Sequence, residues 1–190
     1  MEAEREAWRV EFATVDPSRL VFLDESGANT RMARHYGRAP RGQRIRVPIP
    51  HGHWKTTTLT AAVRLDGVGA CLALDGATNA ACFQAYIGQC LVPTLKPGDI
   101  VIMDNLACHK SAEVERLVRS VGAEVRYLPA YSPDLNPIEE MFSKLKAFLR
   151  KAAARTVETL IEAIGDGLRS VTTSDIIGWF GDTGYRYKQE

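Results

Sequence analysis

The chain has 190 residues, of which 45% are hydrophobic, and a formal net charge of +1 at pH 7. This length and composition predict one compact domain with a substantial core. No apolar stretch approaches the roughly 20 residues that cross a bilayer, and the charged first residues argue against a signal peptide, so we expect no membrane partner. The four cysteines lack C-x-x-C spacing, which favours a reduced, cytoplasmic protein. Three of them lie in or beside apolar runs and are expected in the core: Cys71, Cys82 and Cys90.

Positive charge is concentrated in one interval, since no acidic residue occurs between Glu25 and Asp66. The glycines and prolines of residues 30–54 predict a loop or an irregular hairpin there. Cationic side chains that neutralise phosphates dominate nucleic-acid affinity, so we expect this loop to contact DNA, with a solvated basic loop as the alternative. Trp54 is expected to pack in the core or the loop rather than to stack on a base. The candidate DNA-binding residues are Arg31, Arg34, Arg38, Arg41, Arg44, Arg46 and Lys55.

The first predicted element is a charged helix over residues 2–12, which Asp16-Pro17-Ser18 ends. We therefore expect residues 1–18 to form a helix and linker, and residues 19–190 to form the domain. Three strands follow, and the turn pair Asp66-Gly67 predicts a hairpin between the second and the third. These strands are expected at residues 20–24, 58–65 and 68–74.

Helices and strands alternate in the rest of the chain. Asn79 caps a helix with Phe83, Ile87 and Leu91 on one face, and Ser111 begins another helix. Two more strands are predicted, at residues 100–103 and 125–128. The remaining predicted helices cover residues 137–153, 157–168 and 176–180.

The order of these elements predicts the topology of the sheet. Strands joined by hairpins are antiparallel neighbours, whereas strands joined by helices run parallel through right-handed crossovers. If the fourth strand lies beside the first, the sheet order is 3-2-1-4-5, which is an α/β, ribonuclease H-like arrangement of a mixed five-stranded sheet flanked by helices. Ligands bind where such a sheet reverses direction, and Asp24 and Asp104 end the two strands at that point.

Three carboxylates fall where this topology places a cleft, but each has an ordinary alternative. Asp24 and Asp104 could be turn residues at strand ends, and Glu139 could complete a capping box with Asn136. His109 could approach the site from the loop after Asp104, or it could be a surface histidine. Converging carboxylates hold divalent metal ions for phosphate chemistry, so their conjunction favours a metal site.

The helix that carries Glu139 has a second polar feature. Glu139 shares a helical stripe with Lys146 and Arg150, whose cationic side chains we expect to hold phosphate oxygens beside the metal ions. Glu140 is expected to form a surface ion pair with Lys144, four residues further along the helix.

Three segments closely resemble the catalytic domain of mariner-superfamily transposases, and the branch to which they are most similar is the bacterial family named for insertion sequence 630. The segments are VFLDESG at 21–27, Asp104-Asn105 followed by His109-Lys110, and LPAYSPDLNPIE at 128–139. The 34 residues between Asp104 and Glu139 match the spacing of that branch. Phe142 stands where many relatives have tryptophan.

The resemblance implies that Asp24, Asp104 and Glu139 are the catalytic residues and bind two Mg²⁺ ions, with Mn²⁺ as a substitute. Asn105 and His109 would be auxiliary residues. The implied reaction is cleavage of DNA at the ends of an element, followed by transfer of 3′ hydroxyls into target DNA at TA. The implied partners are the terminal inverted repeats, the target DNA and a second copy of the chain, in the bacterial cytoplasm at the nucleoid.

Such transposases carry helix-turn-helix domains before the catalytic domain, whereas only about 18 residues precede the first predicted strand here, so we expect these domains to be absent. The chain is therefore expected to be the second reading frame of a frameshifted element, a truncated copy or an excised domain. In the first case, an upstream-frame DNA-binding product would be a further partner. Two other functions fit the same residues: a ribonuclease H-like endonuclease without strand transfer, and an inactive fragment that binds DNA or a full-length partner as a regulator. Metal-dependent nicking by the isolated chain would separate the regulator from both enzymes.

Overall fold

The computed structural model describes residues 2–34, 36–46, 50–106 and 109–186. Its strands are β1 (Leu20–Asn29), β2 (Thr56–Arg64), β3 (Gly67–Asp75), β4 (Ile100–Met103) and β5 (Glu124–Tyr127). Its helices are α1 (Glu2–Phe12), α2 (Ala80–Tyr86), α3 (Ala112–Arg119), α4 (Pro137–Ala152), α5 (Val157–Arg169) and α6 (Thr173–Asp182). A π-helical turn (Ile87–Leu91) and a 3₁₀ turn (Val92–Thr94) continue α2.

The strands form one sheet of order β3-β2-β1-β4-β5, which confirms the order predicted from connectivity. β1 pairs antiparallel with β2, and β2 pairs antiparallel with β3. On the other side, β1 pairs parallel with β4, and β4 pairs parallel with β5. β1 therefore has an antiparallel neighbour on one edge and a parallel neighbour on the other.

β1 is longer than predicted, and Asp24 lies inside it rather than at its end. The parallel pairing with β4 stops at Phe22 and Ile102, whereas the antiparallel pairing with β2 continues to Asn29. Residues 25–29 contain no run of large apolar side chains, so hydrophobicity did not mark this half of the strand. Asp24 is at the end of the parallel ladder only.

Both faces of the central strands are buried, which accounts for their continuous apolar runs. Leu20 and Phe22 belong to the core cluster that contains side chains of α1, α4, α5 and α6. Val21 and Leu23 belong to the cluster on the other face, with α2 and α3. Because side chains alternate along a strand, Asp24 lies on the same face as Phe22, toward α4.

Helix α1 forms over the predicted residues and packs into the core. Trp8 and Phe12 are buried, with their rings stacked 4.1 Å apart between centroids. Trp8 Nε1 donates a hydrogen bond to the Tyr185 hydroxyl at 2.8 Å, and that hydroxyl donates to the Leu135 carbonyl at 2.8 Å. Tyr185 thus joins α1 to the segment that precedes α4.

Two local predictions differ from the structure. The hairpin between β2 and β3 forms, but its turn residues are Leu65 and Asp66, one position earlier than predicted. Cys71 is exposed on the edge strand β3, so its expected core position is wrong. Cys82 and Cys90 are partly buried, and Cys90 packs against the core cluster that contains α2 and α3. Within the described residues, no helix combines the length and the apolar character needed to cross a membrane.

Candidate active site

The three carboxylates singled out from the sequence line one cleft, with a volume of about 430 Å³. Asp24 and Asp104 each lie two residues after the paired Phe22 and Ile102, so the parallel ladder sets both positions. Glu139 comes from the first turn of α4 and is exposed in the cleft. The sheet therefore supplies two carboxylates and a helix start supplies the third.

Asp24 is held by hydrogen bonds to both of its carboxylate oxygens. Oδ1 accepts the backbone N–H of Glu25 at 2.7 Å, and Oδ2 accepts the side-chain amide of Asn136 at 3.1 Å. Burial raises the pKa of the Asp24 carboxyl to about 7, against the opposing effect of the Glu25 hydrogen bond. Repulsion from Asp104 and Glu139 contributes to the same rise in pKa. Negative charge is thus concentrated in this cleft.

Asp104 is held by the loop that follows β4. Its Oδ1 accepts the backbone N–H of Leu106 at 3.2 Å and lies 2.5 Å from His109 Nδ1. The His109 ring is buried and stacks on Phe83 with 4.3 Å between centroids. The His109 carbonyl accepts a hydrogen bond from the Tyr127 hydroxyl. His109 is therefore a buried neighbour of Asp104, and the surface alternative is wrong.

The capping-box alternative for Glu139 is also wrong. Asn136 precedes α4, but its side chain makes no capping hydrogen bond to the helix. The amide instead donates to Asp24, which is 112 residues earlier in the chain. The buried Oδ1 of Asn136 has no hydrogen-bond partner among the described residues. Asn136 therefore joins the start of α4 to β1, and the Glu139 carboxylate faces the cleft.

The donor set of the cleft suits a divalent cation. Within the part of the chain that the structure describes, no group of three His, Cys, Asp or Glu side chains is arranged to hold one metal ion. Mg²⁺ at phosphate-transfer sites is usually held by only one or two carboxylates together with substrate phosphates. The carboxylate oxygens are hard donors, which Mg²⁺ and Mn²⁺ prefer, and a cation would relieve the repulsion that raises the pKa of Asp24.

The ion pair predicted between Glu140 and Lys144 does not form. Lys144 Nζ instead contacts Asp175 Oδ2 of α6 at 2.5 Å. Burial and the negative charge of Asp182 raise the pKa of Glu140. Lys144 therefore joins α4 to α6, a tertiary contact that helical spacing does not reveal.

The cationic residues predicted to bind DNA lie outside the lining of the cleft. Lys146 and Arg150 lie about 10 Å and 16 Å from Glu139 along the axis of α4, at 1.5 Å per residue. We call residues 30–55, between β1 and β2, the basic connection. Its base is fixed, since Arg155 donates hydrogen bonds to the carbonyls of Thr30 and Met32. Beyond the base, five arginines are exposed and form no ion pair within the described residues: Arg34, Arg38, Arg41, Arg44 and Arg46.

The two ends of the basic connection also contact each other. Thr30 N–H donates to the Lys55 carbonyl, and Lys55 N–H donates to the Thr30 hydroxyl. The Arg31 guanidinium lies 5.0 Å from the centroid of the Trp54 ring. Trp54 is half exposed, so it packs within the connection, as the loop alternative predicted, and not in the core.

Several residues that line the cleft were not predicted as site residues, among them Asn136 and Tyr131. Asn136 was interpreted as a helix cap, and its contact with Asp24 could not be read from local sequence. Tyr131 lines the cleft, with 89% of the residue's surface exposed and its backbone at φ +55°. Both residues lie within the LPAYSPDLNPIE segment, which was the available signal. Asn105, a predicted auxiliary residue, also lines the cleft.

Comparisons with solved structures show the same fold in a transposase. The Mos1 transposase paired-end complex with left transposon end matches with a TM-score of 0.72 and 20% identity, over 96% of this chain and 57% of that chain. The Mos1 mariner paired-end complex with Mn has a TM-score of 0.74 and 20% identity, over 96% and 58%. The Mos1 transposase catalytic domain with raltegravir and Mg has a TM-score of 0.72 and 18% identity, over 96% and 87%.

These likenesses confirm the ribonuclease H-like fold, with its mixed sheet of order 3-2-1-4-5. The chain spans less than three fifths of the length of the transposase chains in the two paired-end complexes. No protein among the curated ones matches the chain. A family model described as DDE superfamily endonuclease matches residues 19–161, which is most of the chain. The chain therefore belongs to the DDE superfamily endonuclease family.

Proposed function

We propose that this chain is the catalytic domain of a DNA transposase, which cleaves DNA at the ends of an element and transfers the 3′ hydroxyls into target DNA. The observation that carries the proposal is the cleft that Asp24, Asp104 and Glu139 line together. They come from three separate parts of the chain and meet beside the strand at which the sheet changes from antiparallel to parallel pairing. Family membership and the fold shared with Mos1 transposase support this function.

The three carboxylates would hold two Mg²⁺ ions, or Mn²⁺ ions. Bound there, these ions would lower the pKa of the attacking water or 3′ hydroxyl and stabilise the negative charge on the leaving oxygen. The surrounding residues orient the carboxylates. Asn136 fixes one oxygen of Asp24, and His109 fixes one oxygen of Asp104. Asn105 lines the same cleft and would donate an amide hydrogen bond to a phosphate oxygen.

The reaction exchanges one phosphorus–oxygen bond for another. In cleavage, the oxygen of a water attacks the phosphodiester and its proton passes to solvent. The bond to the 3′ oxygen breaks, and that oxygen takes up a proton from solvent to become a 3′ hydroxyl. In strand transfer, the released 3′ hydroxyl attacks a phosphodiester of the target in the same way. Lys146 and Arg150, further along α4, would neutralise phosphates of the DNA that continues beyond the cleft.

The partners follow from this reaction. The proposed DNA ligands are terminal inverted repeats and a TA target, and the exposed arginines of the basic connection would contact their phosphates. The 34-residue interval between Asp104 and Glu139 supports the insertion sequence 630 branch. Transposition brings the two ends of the element into one complex, which supports a homodimer with one catalytic domain for each end. A DNA-binding product of an upstream reading frame would recognise the ends.

The decisive experiment uses a labelled duplex that carries the inverted repeat flanking the coding sequence, with a TA-containing target. In Mg²⁺ or Mn²⁺, the chain should cut the labelled end and join it to the target. Asp104→Asn should abolish cutting. The matched control is Asp166→Asn, because Asp166 is exposed on α5 and, among the described residues, its ion pair is with a neighbour on its own helix, Arg169.

The products separate the candidate functions. Cutting without joined products would identify an endonuclease without strand transfer. DNA binding without metal-dependent cutting would identify a regulatory fragment. Undiminished cutting by Asp104→Asn would overturn the assignment of the three carboxylates.

A further inference from the structure

An exposed aromatic ring lies at the rim of the candidate active site. Tyr131 lines the same cleft as the three carboxylates, and 89% of its surface is exposed. Leu106, which is 53% exposed, belongs to the same lining. Large apolar surface left open beside a polar cleft indicates a surface that a ligand covers.

The backbone of Tyr131 is in the left-handed region, with φ +55°. This region favours glycine or asparagine, and a tyrosine there costs conformational energy. Two alanines also have positive φ, but each has a local reason. Ala153 caps the C-terminus of α4, and Ala70 lies at the register shift between β2 and β3. Tyr131 lies in a turn with Ala130, where glycine or asparagine would adopt this conformation at lower cost. A bulky tyrosine at such a position is strained, and strain of this kind clusters at functional sites.

Contacts from α1 hold the strained segment in place. Arg5 Nη1 donates to the Tyr131 carbonyl at 3.5 Å and to the Ser132 hydroxyl at 3.1 Å. The same guanidinium forms a two-pronged pair with Asp134, at 2.9 and 2.7 Å. These contacts engage the backbone and the neighbours of Tyr131 and leave its ring in the cleft. The ring is therefore displayed by a fixed scaffold.

The chemistry of the ring selects its ligand. A flat aromatic face stacks on nucleic-acid bases, and every base offers such a face once it leaves the duplex stack. Bases inside a duplex are already stacked on both sides, so the ligand must be an unstacked base. We propose that Tyr131 stacks on one base that leaves the helical stack beside the cleaved phosphodiester. This inference rests on the proposed function, because the cleft must hold DNA.

The test is a double-mutant cycle between the protein and the DNA. Tyr131→Ala is combined with abasic replacement of each nucleotide that flanks the cleaved bond, one position at a time. Binding is measured by fluorescence anisotropy of the labelled inverted-repeat duplex, and cleavage is measured in Mg²⁺. Tyr131→Phe keeps the ring, and Ile161→Ala removes an exposed apolar side chain from α5, away from the cleft.

Tyr131→Ala should reduce cleavage efficiency about 5- to 100-fold, the range expected for one base–aromatic stack. The cleavage efficiencies of Tyr131→Phe and Ile161→Ala should stay within about twofold of that of the wild type, because the first keeps the ring and the second lies away from the cleft. At one nucleotide position, the abasic change should weaken the wild type but not Tyr131→Ala. If the effects of Tyr131→Ala and of the abasic replacement add at every position, the inference about Tyr131 is overturned. Cutting by the wild type in the same experiment would still support the proposed function. A wild type that binds and cuts none of these duplexes would overturn both.

A second pair of variants separates strain from stacking. Tyr131→Gly relieves the left-handed backbone, whereas Tyr131→Ala keeps the unfavourable conformation. Tyr131→Gly should therefore unfold at a higher urea concentration than Tyr131→Ala, although both lose cleavage. Equal urea midpoints would show that the backbone is not strained, and retained cleavage by Tyr131→Gly would show that the ring is not used.

Discussion

Two irregular segments of this protein differ in how they are held. Residues 128–136, before α4, are fixed from several sides: Arg5 binds Asp134, Tyr185 binds Leu135, and an amide of the segment binds β1. The basic connection is fixed at its base and then presents exposed arginines.

This difference matches what each segment is proposed to do. Residues that orient catalytic groups must keep their geometry, because a displacement of about 1 Å can cost about 100-fold in rate. Residues that neutralise DNA phosphates act through charge and tolerate variation in position. The contrast predicts that changes in residues 128–136 act on catalysis and folding, while changes in the basic connection act on salt-dependent affinity.

The largest effect is expected at Asn136. Asn136→Ala removes the donor to Asp24 Oδ2 and should lower the cleavage rate about 10- to 100-fold, as for other residues that orient metal ligands. The matched control is Asn79→Ala, because Asn79 also precedes a helix but does cap it, accepting the N–H of Cys82. Asn79→Ala should cost about 1 kcal/mol of stability and leave cleavage unchanged. Equal cleavage by the two variants would remove Asn136 from the site.

The next effect is expected in the basic connection. Replacing Arg41, Arg44 and Arg46 with alanine should reduce the slope of log affinity against log salt concentration by about 3, since each phosphate contact contributes about 0.9. The measurement is DNA binding between low and moderate salt. The control replaces Arg116 and Arg119 of α3, which pair with glutamates of their own helix. An unchanged slope in the triple variant would place the connection away from DNA.

A smaller effect, on stability, is expected at Tyr185. Tyr185→Phe leaves the buried Trp8 N–H and the Leu135 carbonyl without a hydrogen-bond partner, which should lower the free energy of unfolding by about 2 kcal/mol. Urea unfolding measures this change. Tyr36→Phe is the control, because Tyr36 is 93% exposed in the basic connection. Similar urea midpoints for both variants would show that Tyr185 does not fix residues 128–136.

The smallest effect is expected at Asp175, which lies outside both segments and shows how a change unrelated to them alters stability. Lys144, followed by Thr172, lowers the pKa of Asp175 to about 2. Because about 3.9 is the pKa of an unfolded aspartate, its stabilisation is present above about pH 4 and is lost as pH falls toward 2. Asp175→Asn should therefore lower the urea midpoint at pH 7, with a gap that narrows as pH falls from about 4 toward 2. A gap independent of pH would contradict this linkage.

The strands and helices that make up the sheet and its flanks could be predicted because the sequence patterns that mark them are local. Apolar runs, a hairpin turn and capping residues such as Asn79 and Ser111 depend on neighbours a few residues away, and both caps form as predicted. The second half of β1 was missed because small side chains such as Ser26 and Ala28 are buried there without an apolar run. The convergence of carboxylates followed from topology, and their catalytic role stays a prediction.

The contacts that sequence reasoning missed join distant parts of the chain. Asn136 bonds to Asp24 and Lys144 bonds to Asp175, whereas local rules predicted a cap and an i,i+4 pair. Both local rules describe an isolated helix. In the folded protein, a strand and another helix offer these side chains other partners, so tertiary contacts replace the local ones.

The position of α1 has a practical consequence for anyone who shortens this protein. The family match begins at residue 19, after α1 has ended, so a boundary drawn by homology would remove that helix. The shortened chain would keep every proposed catalytic carboxylate and would lose Arg5 and Trp8, which hold residues 131–135. The core would also lose Trp8 and Phe12, so weak cutting by such a fragment would reflect the missing helix and not the proposed catalytic site.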